Sequence, residues 1–339
     1  MAKIEMLTTA EYYAAERAAL TTLSNRQIQA FKPHGFNTVG FPSEISSNSE
    51  IVRFVDALHE HNHQSYVSPS FLYSRSEKES FTRIIEAVGA ATLERFGKAL
   101  RPSTSVLTSI ELFRILERLQ AAHGDRLSIL EIGPGSGYLG AAIIDSGSRY
   151  LAMENASGFY LWQSMLMQTL TSDFSELARN QIAGTSRAIH IPWWEWAVKD
   201  SMSRLAPVDI LISDAVISEM HPMARAFLWR IFRQLSDPSA TPMVIVGRPG
   251  QPLFGDASTI SQEVADCGYR CIAAGDINVF SPNEKADRAQ DLLRDTQLNL
   301  ADRSAVQPVD RAEYTSESIL GHFRPSPDLE FWSYVNSRR

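Results

Sequence analysis

The chain has 339 residues, 44% of them apolar, which is enough to bury a sizeable core in one large domain with an appendage or in two domains. Its 32 basic and 39 acidic residues leave a formal charge of −7 without the basic footprint of a nucleic-acid binder. No apolar run approaches the roughly 20 residues of a membrane span and no signal-peptide core opens the chain, so a cytoplasmic protein without nucleic-acid or membrane partners is expected.

Residues 1–125 read as helical, because apolar residues recur at spacings of three and four behind helix-start signatures. Thr8-x-x-Glu11 opens a stretch through Ala30, and Ser47-x-x-Glu50 precedes Ile51, Phe54 and Leu58. Ser76-x-x-Glu79 precedes a long segment to Phe96, and Thr108-x-x-Glu111 begins a run to Leu119. Tyr12, Tyr13, Phe71, Tyr73 and Phe81 are expected to serve mainly as packing between these helices, with a substrate-facing cap as the other use. Contacts to a second copy of the chain, making a homodimer, would also fall in this region.

From about residue 126 short apolar runs alternate with helical stretches, which is the pattern of a parallel sheet with crossover helices. The expected strands are Leu127 to Ile132, Tyr150 to Met153, Ala188 to Ile191, Val208 to Ile212, Met243 to Val246 and Tyr269 to Ala273. The expected fold is therefore α/β, a doubly wound Rossmann-like sheet over residues 126–281 with a helical N-terminal cap region before it. Residues 282–339 form an extension that completes the sheet edge or covers the pocket. Cys267 and Cys271, the only cysteines, have no companion ligands near them in sequence and read as packed thiols.

In such sheets the ligand sits at the carboxyl ends of the strands. The first strand runs straight into Gly133-Pro134-Gly135-Ser136-Gly137-Tyr138-Leu139-Gly140, where glycines let the backbone turn sharply and approach a ligand closely. Gly135 to Gly140 also satisfies G-x-G-x-x-G, so a dinucleotide cofactor, and with it an NAD(P)-dependent oxidoreductase, is the rival reading. Glu131 favours a cationic ligand, because a carboxylate two residues before the first glycine suits the amino-acid portion of a sulfonium cofactor and brings nothing to a pyrophosphate. Glu154, at the end of the next strand, suits a ribose diol in either case. The fourth strand ends in the polar cluster Ser213-Asp214-Ala215-Val216-Ile217-Ser218-Glu219-Met220-His221, where a methyl acceptor would meet such a cofactor.

On Glu131-Ile132-Gly133-Pro134-Gly135-Ser136-Gly137, Glu154 and Asp209-Ile210-Leu211-Ile212-Ser213-Asp214, the chain resembles the class I S-adenosylmethionine (SAM)-dependent methyltransferases over about residues 105–280. Gly137-Tyr138-Leu139-Gly140, Phe159 to Gln163 and Ser218-Glu219-Met220 are similar to bacterial proteins described as sugar O-methyltransferases. The resemblance implies SAM as cofactor, held by Glu131, Gly133, Pro134, Gly135, Gly137, Glu154, Asn155, Trp193 and Asp214. It places Pro192 to Trp196 beside the adenine, although Trp193 and Trp194 serve packing equally well.

Methyl transfer from a sulfonium is an in-line displacement, governed by positioning and exclusion of water. An alcohol acceptor needs a base at the fourth-strand end. His221 is the leading candidate, with a helix-boundary role as the alternative; Glu219 would orient the base or bind the acceptor, and Asp214 would line the site or cap the next helix. The expected activity is methylation of a small molecule, directed to oxygen, with no metal. His59-Glu60-His61-Asn62-His63 matches H-E-x-x-H, so a zinc hydrolase is the different-class alternative, lacking a third ligand identifiable by spacing.

Overall fold

The computed structural model describes residues 6–32, 44–56, 72–102, 105, 106, 109–181, 184–198, 202, 204, 205, 207–237, 241–247, 256–301, 306–309, 314 and 315. The first capping box forms as expected: the Thr8 hydroxyl accepts from the Glu11 amide, and the Glu11 carboxylate accepts from the Thr8 amide at 2.8 Å. Helix α1 (Thr9–Leu20) nevertheless stops ten residues short of Ala30. Thr21 and Thr22 turn their hydroxyls back onto the carbonyls of Ala18 and Ala19, and Ser24 with Gln27 forms a second capping box that starts α2 (Asn25–Phe31). Ser47 and Glu50 open a 3-10 segment, Asn48–Phe54, instead of an α-helix. Helix α3 (Arg75–Phe96) begins two residues before the expected signature, because Ser74 and Glu77 make the same reciprocal box and Glu77 is further held by the buried Arg114. Helix α4 (Ile110–His123) follows; Thr108 lies outside the described residues.

Among the described residues eight strands form the main sheet, a short pair β1 (Leu72–Tyr73) and β10 (Tyr314–Thr315) standing apart from it. They are β2 (Ser128–Ile132), β3 (Arg149–Glu154), β4 (Phe174–Glu176), β5 (Ala188–Pro192), β6 (Ile210–Ser213), β7 (Met243–Val246), β8 (Tyr269–Ala273) and β9 (Asn278–Pro282). The order is β4-β5-β3-β2-β6-β7-β9-β8, parallel from β4 to β7, with β9 antiparallel to both of its neighbours. All six expected strands are present, and β4 and β9 are additions. Asp209 fixes the register of β6, its carboxylate accepting from the Ser128 amide at 2.8 Å.

Helices α5 (Tyr138–Ser146) and α6 (Ser157–Leu170) connect β2 to β3 and β3 towards β4, while α8 (Pro222–Leu235) connects β6 to β7. Crossovers running in opposite directions along one sheet lie on opposite faces when both are right-handed, so the core is two-sided. The N-terminal helices divide. α3 packs on α5 and α6, and α4 packs on α5, thickening one helical layer. α1 instead packs on α6 and on the short helix α7 (Trp193–Trp196), and α2 bridges α7 and α8 at the carboxyl end of the sheet. Tyr12, Tyr73 and Phe81 are buried core residues, whereas Phe71 lies outside the described residues.

Helix α9 (Ala257–Asp266) covers β8, and α10 (Ala286–Asp295) packs on β8, β9 and α4. The apolar cluster Leu329 to Val335 lies outside the described residues. Cys271 is exposed on the edge strand β8, so of the two thiols only Cys267 is part-buried. Among the described residues no helix is long and apolar enough to cross a membrane.

Candidate active site at the switch between β2 and β6

The chain winds outward from β2 through β3 to β5 on one side and from β6 to β7 on the other. The direction reverses between β2 and β6, which is where open α/β sheets part their loops into a crevice. The loop after β2 and the loop after β6 face each other there. Gly133, Gly135 and Gly137 have φ of 65°, 58° and 76°, a left-handed region that costs an L side chain about 1–2 kcal/mol. The two loops touch closely enough that a Cβ on Gly133 would stand 2.6 Å from a methyl of Val216, whereas one on Gly135 would meet nothing within 4 Å. Gly135 is thus the open point of the cradle. Gly137 closes the turn, donating to the Pro134 carbonyl at 3.0 Å and capping α5.

Three acidic side chains surround this loop. Glu131 is 5% exposed and accepts from the Tyr150 hydroxyl at 2.6 Å. Burial pushes its carboxyl up to about 8, the Tyr150 hydrogen bond opposing and the charges of Asp214 and Glu154 adding to the rise. Burial likewise raises Glu154 to about 6, against hydrogen bonds from the amides of Ala156, Asn155 and Gly135 and from Gln163. A carboxylate offers about four acceptor positions; the Asn155 and Ala156 amides take Oε1 and Gln163 reaches Oε2, which fixes the orientation of Glu154. Asp214 lies against Gly247, where a Cβ would stand 2.1 Å from its Oδ1.

A narrow cavity opens beside the loop, with about 40 Å³ of room for the centres of water-sized spheres. Gly133, Asn155, Trp193, Glu219 and His221 all line it, together with Val216, Met220 and, at the end of α2, Phe31 and Lys32. Five of the expected site residues therefore meet in one space. Glu131, Pro134, Gly135, Gly137, Glu154 and Asp214 do not line it; they form the loop and the charged floor around it. The space holds a few waters, so a ligand of nucleoside size has to part the walls.

Trp193 is fully buried, and its indole N–H donates to Glu16 of α1 at 2.9 Å. Burial raises the Glu16 carboxyl, and Lys32, which ion-pairs with Glu44 at 3.2 Å, opposes that rise. Neither α1 nor α2 carries a motif that announces this role. Their only sequence signal is an acid, Glu16, on an otherwise apolar helix face, more than a hundred residues from the tryptophan it holds.

The loop after β6 is held in one shape. Ala215 sits at φ 59°, a position an alanine occupies only when its surroundings enforce it. Arg225, fully buried, donates to the Met220 carbonyl at 2.6 Å and is paired with Glu263 at 2.7 Å. His221 is the N-cap of α8, its Nδ1 accepting from the Met223 amide at 3.2 Å. With Nδ1 accepting, the neutral ring carries its proton on Nε2, so His221 in this geometry presents a donor. Asp214 does not cap α8.

His59, Glu60 and His63 lie outside the described residues, and among the described residues no group of three His, Cys, Asp or Glu is placed to hold a metal.

No family model matches the sequence, and no curated protein does. Among solved structures the chain is similar to magnesium protoporphyrin IX methyltransferase from Synechocystis PCC 6803 with bound SAH, at 12% identity over 52% of this chain and 85% of that one, TM-score 0.34. It is similar to the glycopeptide N-methyltransferase MtfA complexed with sinefungin, at 13% identity over 50% and 85%, TM-score 0.35. A third is ribosomal protein L11 methylase from Lactobacillus delbrueckii subsp. bulgaricus, at 13% identity over 50% and 75%, TM-score 0.32. Likeness of that extent assigns no activity to this chain.

Proposed function

We propose that this chain is a SAM-dependent methyltransferase acting on an oxygen nucleophile of a small molecule. One observation carries the proposal: at the switch between β2 and β6, a three-glycine loop is ringed by three acidic side chains, the buried Glu131 and Glu154 together with Asp214. Such a cradle favours a cation and opposes a pyrophosphate, which supports a sulfonium cofactor over a dinucleotide. The cofactor would supply a methyl group made electrophilic by positive sulfur.

The chain's own residues bind, orient and exclude water. Glu131 and Asp214 attract positive charge, while the open backbone at Gly135 admits a ligand without a Cβ in the way. Asn155 and Trp193 form the nucleoside side of the cavity, and Phe31, Val216 and Met220 keep it apolar. Glu219 and His221 face the acceptor side. In the capped geometry His221 donates from Nε2, so it holds an acceptor oxygen, and Glu219 is the group able to take its proton.

Calorimetry with SAM, S-adenosylhomocysteine (SAH) and NADPH tests the reading. Micromolar binding of both sulfur ligands without NADPH binding is expected, and the reverse pattern overturns it. Incubation of cell extract with methyl-labelled SAM tests the acceptor: label on the oxygen of a small molecule is expected, and label confined to protein or RNA excludes that part.

A further inference from the structure

A buried polar chain reaches the glycine loop from the opposite side to the cavity. Gln163, in the apolar helix α6, donates through Nε2 to the Gly135 carbonyl at 2.6 Å and to Glu154 Oε2 at 3.2 Å. Its Oε1 lies 3.0 Å from Nε2 of His190 on β5. Because the Gln163 amide nitrogen is spent on two acceptors, its oxygen is the acceptor here and His190 donates. The imidazole lies flat on Tyr160, with ring centroids 3.7 Å apart and planes within 10°, and its Nδ1 is 3.5 Å from Glu176. Glu176 in turn accepts from Ser164 at 2.6 Å, from the Ala178 amide at 3.1 Å and from the Tyr160 hydroxyl.

Gln163, Ser164 and His190 are wholly buried, and Glu176 is 1% exposed. His190 Nδ1 apart, their buried polar groups are partnered, and each would destabilise this core by a few kcal/mol if left without a partner, so the chain is held to one arrangement. It ends at Gly135, the single open point of the cradle. Gln163 donates to the Gly135 carbonyl and so ties the open point of the loop to α6. The same Gln163 amide fixes the Glu154 carboxylate.

We infer that Gln163, oriented by His190, is a positioning residue for the cofactor: it sets the Gly135 backbone against the Glu154 carboxylate and thereby governs how tightly the site takes the hydroxyl-bearing nucleoside half. The inference rests on the SAM reading above. Neither residue touches the cavity, so their effect passes through Glu154 and Gly135.

The test is calorimetric titration of the full chain with SAH and with its 2′-deoxy analogue, for the wild type, Gln163→Met and His190→Phe. Methionine keeps the volume and removes the amide; phenylalanine keeps the stack on Tyr160 and removes the donor. The wild type should bind SAH at least about tenfold tighter than the deoxy analogue, the scale of one hydrogen bond to a charged group. In Gln163→Met, SAH affinity should fall by about tenfold or more and the preference for the 2′-hydroxyl should shrink towards unity, with His190→Phe intermediate. Equal losses for both ligands would mean general loosening and overturn the inference, as would SAH affinity within twofold of wild type in both variants. If Gln163→Met does not fold, His190→Phe decides by the same two ratios. A wild type that binds neither SAM nor SAH removes the SAM reading itself, a result distinct from wild-type binding that the variants leave unchanged.

Discussion

The two halves of the sheet on either side of the β2–β6 seam are built by different means. From β2 outward through β3, β5 and β4 the interior holds Glu131, Glu154, Gln163, Ser164, Glu176 and His190, all at or below 5% exposure; Glu131 is bonded to Tyr150 and the others to one another or to the backbone. On the side of β6, β7 and β9, the central strand β7 is Met-Val-Ile-Val, wholly apolar and buried, and the edge strand β8 turns Arg270 and Cys271 to solvent. An apolar half tolerates rearrangement as long as its volume is filled, whereas a buried polar chain has one satisfied arrangement. The buried polar chain on the β3 side specifies the position of the glycine loop; on the other side Arg225 holds the loop after β6 while the apolar strand β7 supplies stability. That division can be broken from either side.

The seam gives the largest effect. Gly133→Ala puts a Cβ 2.6 Å from Val216 at a φ of 65°, so SAH affinity should fall about a hundredfold or more by calorimetry. Adding Val216→Ala should restore the steric part and leave the part due to backbone strain, roughly tenfold. Unchanged SAH binding in Gly133→Ala would move the site away from the seam.

The apolar half should answer differently. Ile245→Ala in β7 removes a side chain that is 1% exposed and should lower the unfolding free energy in urea by about 3 kcal/mol. Its SAH affinity should stay within twofold of wild type. A larger change in affinity would show that β7 positions the site as well, and the division between the halves would fail.

Legibility from sequence follows the same division. Short, largely apolar runs announced β2, β3, β5, β6 and β7, because strands buried on both faces need them, and a mixed run announced the half-exposed edge strand β8. β4 is three residues, Phe-Ser-Glu, and its serine and glutamate face inward to polar partners, so no apolar pattern marks it. β9 carries Asn278, Ser281 and Pro282, residues that read as a loop, and is antiparallel, so no crossover helix precedes it. The glycine loop and the loop after β6 were legible because backbone geometry and polarity are local properties. Trp193's tie to Glu16 and the closure of the cavity by α2 are set by tertiary packing, and no spacing encodes them. The positioning chain did leave a trace: Gln163 and Ser164 interrupt the apolar run Phe159 to Met167, and His190 interrupts Ala188 to Ile191. A lone polar residue in a segment otherwise fit for the core has to find a partner there.

The acidic floor ties proton uptake to both stability and binding. The folded values of Glu131 and Glu154, about 8 and about 6, lie above the 4.5 of an ordinary glutamate, so the folded state holds extra protons between those limits. The stability this contributes is full below pH 4.5 or so and is lost as pH rises first through about 6 and then through about 8. A cationic ligand prefers the ionised carboxylates, so SAM affinity should rise roughly tenfold between pH 6 and 8.5, with less gain for SAH, which lacks the sulfonium charge. Glu131→Gln should flatten the upper part of both curves. Calorimetry in buffers of different ionisation enthalpy would register the released proton, and pH-independent SAM affinity would separate the acidic floor from cofactor binding.

The smallest expected effect lies on the β6 side of the crevice, where His221 has a structural task and a proposed chemical one. Its Nδ1 caps α8, so His221→Ala should lower stability by about 1 kcal/mol, the usual worth of an N-cap. Asparagine caps a helix at least as well, so His221→Asn should unfold with wild-type energy and bind SAH normally. Both variants lose the Nε2 donor. If that donor holds the acceptor oxygen, turnover on the true acceptor should fall about tenfold in both, following the donor and not the stability. Full turnover in His221→Asn with a loss only in His221→Ala would make the histidine a cap alone, leaving the β6 side of the crevice to shape the cavity and Glu219 as its polar contact with the acceptor.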